Sequence, residues 1–229
     1  MTRKLIVLLI LLVCGTGIMT AQNAAEKVRE FAKEKNYDEA VKYIPEASDK
    51  NPDDLQLHIL MGDIYMELEN YKGAVLMYER ADDIDGGEPP ILRKLGKAYS
   101  FQGNHDKAIK ILKELMEDDE DNVMNMVELG HAYIRADKLE KARLVITQAA
   151  EMGDDVPDAF LALGDLYFAQ KVYELAKNYY EKALSLDESL LTARERLATA
   201  YYWLANKELD DELANEYFAR SLKEWDKVT

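Results

Sequence analysis

Small, aromatic and apolar residues recur along the chain with a spacing of 34 residues. The glycines in phase are Gly62, Gly96, Gly130 and Gly164. Each is followed three residues later by a tyrosine, and that series continues to Tyr201. Each is also followed twelve residues later by an alanine, and that series begins one period earlier, at Ala40. A pattern that keeps its phase over so many periods predicts one structural repeat along most of the chain.

The residue types within one period predict two packed helices. Glycine and alanine remove side-chain bulk where helices cross, so the two backbones can approach closely. Asparagine, aspartate or glycine stands at the break between the apolar stretches, as in the segments KNYDEA, ENYKGA and GNHDKA. Because neither helix can bury its apolar face alone, successive repeats must stack on one another.

This pattern resembles the tetratricopeptide repeat family, whose 34-residue repeat is a helix, a tight turn and a second helix. One clear copy reads LMGDIYMELENYKGAVLMYERA, and its signature positions are Met61, Gly62, Tyr65, Ala74, Tyr78 and Ala81. The resemblance covers essentially the chain from residue 21 to residue 229. It implies an all-α fold, a right-handed α-solenoid superhelix of antiparallel helix pairs.

The phase divides the predicted array, residues 22–229, into about six repeats. Their bounds are 21–54, 55–88, 89–122, 123–156, 157–190 and 191–229. The first repeat is degenerate, with Val28 and Phe31 at the glycine and tyrosine positions. Such a departure is expected of a terminal repeat that caps the stack.

The last repeat is irregular, and its second helix fits two registers. One register places Ala214, Phe218 and Ser221 at the family positions after four inserted residues. The other places Ser221, Trp225 and Val228 there after eleven, and the repeat is then incomplete at Thr229. The sequence alone leaves both open.

The N-terminus has the order of a secretory signal peptide. Two positive charges lie within Met1–Lys4, Leu5–Val13 is wholly apolar, and Cys14–Ala21 is mostly small or uncharged. We expect cleavage after Ala21 or Gly17, with an uncleaved anchor as the second interpretation and a lipid anchor at Cys14 as the third. Because Cys14 is the only cysteine, the cleaved protein would contain no disulfide. The expected location is the bacterial periplasm or cell envelope.

The charge balance narrows the classes of partner. The chain has 29 Lys and Arg residues against 44 Asp and Glu residues, a formal net charge of -15. Such a surface repels phosphate backbones and anionic lipid. We therefore expect no nucleic-acid partner and no membrane contact beyond the signal segment.

The sequence contains no recognisable catalytic or metal-binding motif. The three histidines, His58, His105 and His131, do not share a metal-ligand spacing, and the acidic runs lack the alternating ligands of a calcium loop. No nucleophile motif such as Gly-x-Ser-x-Gly occurs. We expect a protein that is not an enzyme and has no metal, cofactor or catalytic residue.

The resemblance implies a partner-binding site in a concave groove lined by positions two, five, nine, twelve and thirteen of the first helices. The candidate residues are Arg93, Lys97, Phe101, Val127, His131, Ile134, Arg135, Phe168, Tyr202 and Trp203. Together they predict a basic, partly apolar surface that suits an acidic peptide or a C-terminal carboxylate. The alternative is that nearby carboxylates such as Glu128 already pair with these cations.

The family's clamp for chaperone tails is not predicted. It needs asparagine at position nine of successive repeats. The residues there are Arg29, Asp63, Lys97, His131 and Asp165.

The features favour a non-catalytic scaffold for protein–protein interaction, exported to the periplasm or cell envelope, with a peptide or helix bound in the groove. The alternative function is the N-terminal docking portion of a longer enzyme or signalling protein. Self-association through the exposed ends of the array is a third possibility.

Overall fold

The computed structural model describes residues 24–228. The predicted signal segment at 1–21, with Cys14, lies outside these residues. Residues 24–228 form helices and turns with no strand, as the all-α prediction requires. None of the helices within this range is long and apolar enough to cross a membrane.

The helices follow one another through short connections and group into two compact bodies. The N-terminal body, up to Gln102, contains α1 at 24–33, α2 Tyr37–Ala40, α3 Ile44–Lys50, α4 Leu55–Glu67, α5 Tyr71–Asp85 and α6 Pro89–Gln102. The C-terminal body, from Gly103, contains α7 His105–Asp118, α8 Val123–Arg135, α9 Leu139–Met152, α10 Pro157–Ala169, α11 Tyr173–Leu186, α12 Leu191–Lys207 and α13 Asp211–Trp225. The first helices α4, α6, α8, α10 and α12 begin at the first residues of the predicted repeats.

The glycine at position eight of a repeat is where its two helices touch. The ring of Tyr78 lies against Gly62, and the ring of Tyr180 lies against Gly164. In the fourth repeat, the side chain of Ile146 takes the same place against Gly130. A Cβ atom at any of the three glycines would overlap the side chain of position 24, so the glycine is a packing requirement.

The turn inside each repeat has one backbone conformation. Position fifteen has a positive φ in five successive repeats, at Lys35, Glu69, Gly103, Asp137 and Lys171. At Glu69, the amide donates to the carbonyl of Met66 (3.0 Å), and the next amide, of Asn70, donates to the carbonyl of Tyr65 (2.8 Å). These two bonds close the first helix in a Schellman motif. The left-handed residue is therefore demanded by the turn even where it is not glycine.

The second helix of the first repeat is broken. It forms α2 and α3, separated by a turn at 41–43. Pro45 lies in the first turn of α3. It has no amide hydrogen to donate to the carbonyl four residues earlier, and its ring would clash there, so the helix must restart.

The last repeat has a register that differs from both sequence alternatives. The Ser221 hydroxyl donates to the carbonyl of Ala198 at 2.8 Å, and Ala198 holds the glycine position of this repeat. Ser221 thus stands where Tyr180 stands against Gly164, which makes the insertion seven residues long. Seven residues are two helical turns, so each helix of the pair is extended by about one turn. Accordingly, α12 has 17 residues where α10 has 13.

Replacing Gly130 with leucine should destabilise the protein by about 3 kcal/mol or more, because the new side chain must displace Ile146. The unfolding transition in urea should also broaden, since a disrupted repeat uncouples its neighbours. Thr147→Leu, at an exposed position of α9, is the control and should leave the midpoint nearly unchanged. Equal midpoints for the two variants would contradict the packing role of Gly130.

Replacing Glu69 with glycine should stabilise the protein by about 0.5–1 kcal/mol, because glycine adopts a positive φ without steric cost. Thermal and urea denaturation would measure the change. Glu67→Gly, two residues earlier at the last residue of α4, should instead destabilise, by at most about 1 kcal/mol. A loss of stability in both variants would show that the turn gains nothing from glycine.

Candidate partner-binding site

The predicted groove residues of the N-terminal body lie along one face of α6. Arg93, Lys97 and Phe101 are spaced four residues apart, so their side chains share that face. Phe101 stacks on Tyr71, with ring centroids 5.0 Å apart. Their predicted grouping with His131 and Arg135 in one surface stays a prediction.

The C-terminal body contains a pocket of about 200 Å³ built by three successive first helices. Its lining residues are His131, Ile134 and Arg135 from α8, Asp165, Phe168 and Ala169 from α10, and Arg196 from α12. Four of the predicted groove residues thus lie together in one concavity: His131, Ile134, Arg135 and Phe168.

Asp165 is the electrostatic centre of this pocket. Its Oδ1 accepts a hydrogen bond from the Tyr180 hydroxyl at 2.8 Å and lies 3.5 Å from Arg196 Nε. Its Oδ2 lies 3.5 Å from His131 Nε2. Burial by itself raises the pKa of a carboxyl, but the adjacent His131 and Arg196 outweigh that effect and hold the pKa of Asp165 below its ordinary value. The carboxylate is therefore ionised at neutral pH and held by groups of three helices.

The N-terminal body repeats this arrangement around Asp63. Asp63 accepts from the Tyr78 hydroxyl (2.6 Å) and from Lys94 Nζ (2.6 Å). In both bodies the aspartate at position nine joins the tyrosine at position 24 of its own repeat to the cation at position six of the next. Burial and the nearby aspartates raise the pKa of both Tyr78 and Tyr180, so both phenols remain protonated donors. These two aspartates therefore connect neighbouring repeats, and Asp165 also lines the pocket.

Sequence reasoning missed Arg196 and misplaced Val127. Arg196 is at position six, which the family groove positions do not include, but it lines the pocket. The pattern that could have found it is an aspartate at position nine and a tyrosine at position 24 of one repeat, followed by a cation at position six of the next. Asp63, Tyr78 and Lys94 form one such set. Asp165, Tyr180 and Arg196 form the other. Val127 is only 1% exposed and belongs to the core, so it has no surface to offer a partner. This part of the prediction is corrected.

Aromatic side chains extend the lining from the pocket onto α12. The ring of Phe168 lies 5.2 Å from that of Tyr173, and Tyr173 stacks on Trp203 at 5.7 Å. Trp203 meets Tyr202 edge to face at 6.0 Å. Tyr202 and Trp203 are 49% and 42% exposed, so both retain free ring surface. Lys207 Nζ lies 4.5 Å from the centroid of Tyr173.

A second pocket, of about 570 Å³, lies in the N-terminal body above a buried polar network. His58 Nδ1 lies 3.0 Å from the carbonyl of Asp54, which can only accept, so this nitrogen carries the proton. His58 Nε2 then accepts from the Ser48 hydroxyl at 3.2 Å, and Arg80 donates to the Ser48 oxygen. Every member of the network has a protein partner, and the network joins α3, α4 and α5. Residues 24–228 contain no cluster of histidine, cysteine, aspartate and glutamate that could hold a metal ion.

The comparisons with known proteins agree with the repeated helix pairs. One tetratricopeptide repeat family model matches residues 31–98, 66–124 and 101–166, and a second matches residues 157–190. The chain is 28% identical over 168 residues to mouse protein O-mannosyl-transferase TMTC3, a match that covers 73% of this chain and 16% of the relative. It matches human protein O-mannosyl-transferase TMTC1 with 25% identity, over 71% of this chain and 19% of that protein. The chain thus spans less than a fifth of these two relatives.

Solved structures share the fold. The tetratricopeptide repeat protein TTC0263 of Thermus thermophilus superposes with a TM-score of 0.61 and 21% identity, over 79% of this chain and 98% of that one. PilW, described as a widely conserved type IV pilus biogenesis factor, superposes with a TM-score of 0.62 and 16% identity, over 88% and 91%. Family matches that together span residues 31–190, on helix pairs that touch at a repeated glycine, show that the chain belongs to the tetratricopeptide repeat family.

Proposed function

We propose that the protein is a non-catalytic scaffold that binds an acidic peptide segment of a partner in the pocket between α8, α10 and α12. The observation that carries the proposal is the lining of that pocket, in which Arg135 lies together with Asp165 and the two residues that contact it, His131 and Arg196. Tetratricopeptide repeats commonly serve protein–protein interaction, and the pocket lies on the first helices that face the family's groove.

The charge distribution supports an acidic ligand. Asp165 contacts Tyr180, Arg196 and His131 at the same time. Its single negative charge is therefore divided among three neighbouring groups. The Arg196 side chain remains half exposed, and a carboxylate of the partner could approach it from the groove. Because the whole chain carries a net charge of -15, acidic segments are attracted only where such cations are concentrated. The pocket cations therefore attract an acidic segment, while the negative charge of the rest of the protein repels it elsewhere.

The apolar part of the lining supports an extended or helical peptide rather than a free anion. Ile134 and Phe168 lie beside the arginines, and the rings of Tyr173, Trp203 and Tyr202 continue from Phe168. Exposed aromatic rings supply contact area at a small cost in conformational entropy. We infer that an apolar side chain of the partner covers Phe168 while an acidic residue faces Arg135 and Arg196.

Charge reversal of Arg135 and Arg196 to glutamate should weaken partner binding by about 1–3 kcal/mol, because both cations face the bound acidic segment. Affinity capture of partners from the native host, followed by calorimetry with the purified partner, would measure the loss.

The matched control reverses two cations on outer helices, Lys110 on α7 and Arg143 on α9, and produces the same change in net charge. This control should bind almost as tightly as the native protein. Equal losses of affinity in the two double variants would show that binding responds only to the net charge of the protein. Undiminished binding by the pocket variant would show that the partner does not bind in the pocket.

We also propose that the protein acts after export to the periplasm or cell envelope. The support is the order of charged, apolar and small residues over Met1–Ala21. Removal of this segment would leave an array that begins close to α1.

Mass spectrometry of protein recovered from the native host should find a new N-terminus between about Ile18 and Asn23, since a signal peptidase cleaves after small residues. An intact Met1 in a membrane fraction would instead show an uncleaved anchor. An intact Met1 in the soluble cytoplasmic fraction would contradict export.

A second function is supported by the lengths of the relatives. The mouse and human relatives are named as O-mannosyl-transferases, and the chain matches 16% and 19% of them. The array could serve in the same way as a docking portion beside a catalytic domain. A coding sequence that continues past Thr229 into such a domain would favour this second function.

A further inference from the structure

The pocket of about 570 Å³ in the N-terminal body has a lining of mixed charge, and we call it the N-terminal pocket. It lies among α3, the loop that joins α3 to α4, α4 and α5. Its volume is within the range of small-molecule sites, about 300–1,000 Å³. The residues that decide its chemistry are Ser48, His58 and Arg80, and the aspartates Asp49, Asp53 and Asp83.

Part of this lining is polar and buried. Ser48 and His58 are 2% and 0% exposed, and both lie in the hydrogen-bonded network with Arg80. Ser48 stands at position 28 of the first repeat. His58 and Arg80 stand at positions four and 26 of the second repeat. Burying polar groups instead of apolar ones costs free energy unless every group is hydrogen-bonded, as it is here.

Other junctions of the same array hold apolar residues at the first two of these positions. Between the third and fourth repeats they are Met116 and Met126, and between the fourth and fifth they are Ala150 and Phe160. Met126 is 1% exposed and belongs to the core. The stacking of repeats therefore does not require polar groups at these positions. At the first junction they give the pocket a polar wall.

Arg80 contributes a positive charge that forms no ion pair with a carboxylate of residues 24–228. In this part of the chain, its hydrogen-bond partner is the Ser48 oxygen alone. The other N–H donors of its planar guanidinium can bind an anionic group, and a carboxylate fits that geometry with two parallel hydrogen bonds. Arg80 therefore indicates a carboxylate in the ligand.

Three aspartates contribute negative charge to the same lining. Asp49, Asp53 and Asp83 are exposed, so they lie where a ligand enters. With three carboxylates, one guanidinium and a neutral His58, the lining has a net charge of -2. No group of histidine and carboxylate side chains within residues 24–228 could hold a metal ion. The negative charge therefore suits organic ammonium groups.

We propose that the N-terminal pocket binds a free basic amino acid of the lysine class. Such a molecule has one carboxylate and two ammonium groups, so its net charge of about +1 is opposite to that of the lining. Its carboxylate binds Arg80, and its ammonium groups bind the aspartates. The N-terminal pocket shares no residue with the pocket on α8, α10 and α12, so this proposal and the partner-binding proposal can fail independently.

Calorimetry of the full chain with L-lysine tests the proposal. We expect one molecule bound per chain, with a dissociation constant of about 0.1–1 mM, because so small a ligand gains little from burial in an open pocket. Cadaverine is lysine without its carboxylate, and L-norleucine has no side-chain ammonium group. Each should bind about tenfold more weakly than L-lysine, or less tightly still, because each lacks one of the charged contacts.

Asp53→Asn combined with Asp83→Asn should weaken the binding of L-lysine by about tenfold or more. The matched control is Asp155→Asn with Glu151→Gln, because these exposed residues stand at the same positions, 33 and 29, of the fourth repeat. It changes the net charge equally and should bind L-lysine like the native chain. Arg80→Gln should weaken the binding of L-lysine without weakening that of cadaverine, which a merely unfolded variant would not do. Circular dichroism would confirm that all variants are folded.

Three results would overturn the proposal. They are an absence of L-lysine binding at about 10 mM, equal affinity for L-lysine and cadaverine, and equal losses of affinity in the two double variants. N-acetyl-L-lysine distinguishes a free amino acid from the C-terminal lysine of a peptide, because acetylation removes the α-ammonium group as a peptide bond does. It should bind more weakly than L-lysine. Equal or tighter binding would overturn the free amino acid in favour of a peptide C-terminus.

Discussion

The close approach of two helices at position eight is the constraint on which the rest of the structure depends. With no side chain at Gly62 or Gly164, the ring of Tyr78 or Tyr180 can lie directly against the helix. Its hydroxyl then reaches the aspartate at position nine. In the last repeat the small residue is Ala198 and its partner is Ser221, so no ring reaches position nine there. The packing contact thus determines which repeats hold an aspartate at position nine by a tyrosine hydroxyl.

The pocket shows how an acidic protein can still present a basic site. The two arginines are supplied by separate first helices, and the carboxylate that shares the pocket with them, Asp165, is held by its neighbours. Local charge then differs in sign from the surface as a whole, and the difference depends on which residues the stacking brings together. A shift in the spacing of the repeats would therefore bring different residues together and change the charge of the site.

Most of the fold was predictable because each repeat states the same pattern again. A repeat that departs from the pattern can still be placed from the spacing of its neighbours. The first helices accordingly begin at the residues that the 34-residue spacing predicts. The last repeat was not predictable in the same way. Insertions of four, seven and eleven residues all return a helix to nearly the same face, so only the contact of Ser221 with Ala198 selects seven. Arg196 was missed for a related reason, since its pairing with Asp165 joins two repeats and is invisible within either one.

The ion pair between Asp165 and Arg196 has two structural roles. It lies in the pocket, and it also connects the fifth repeat to the sixth. Any substitution of Arg196 therefore changes the charge of the pocket and the contact between these two repeats at once, so local charge and array stability are coupled at this residue.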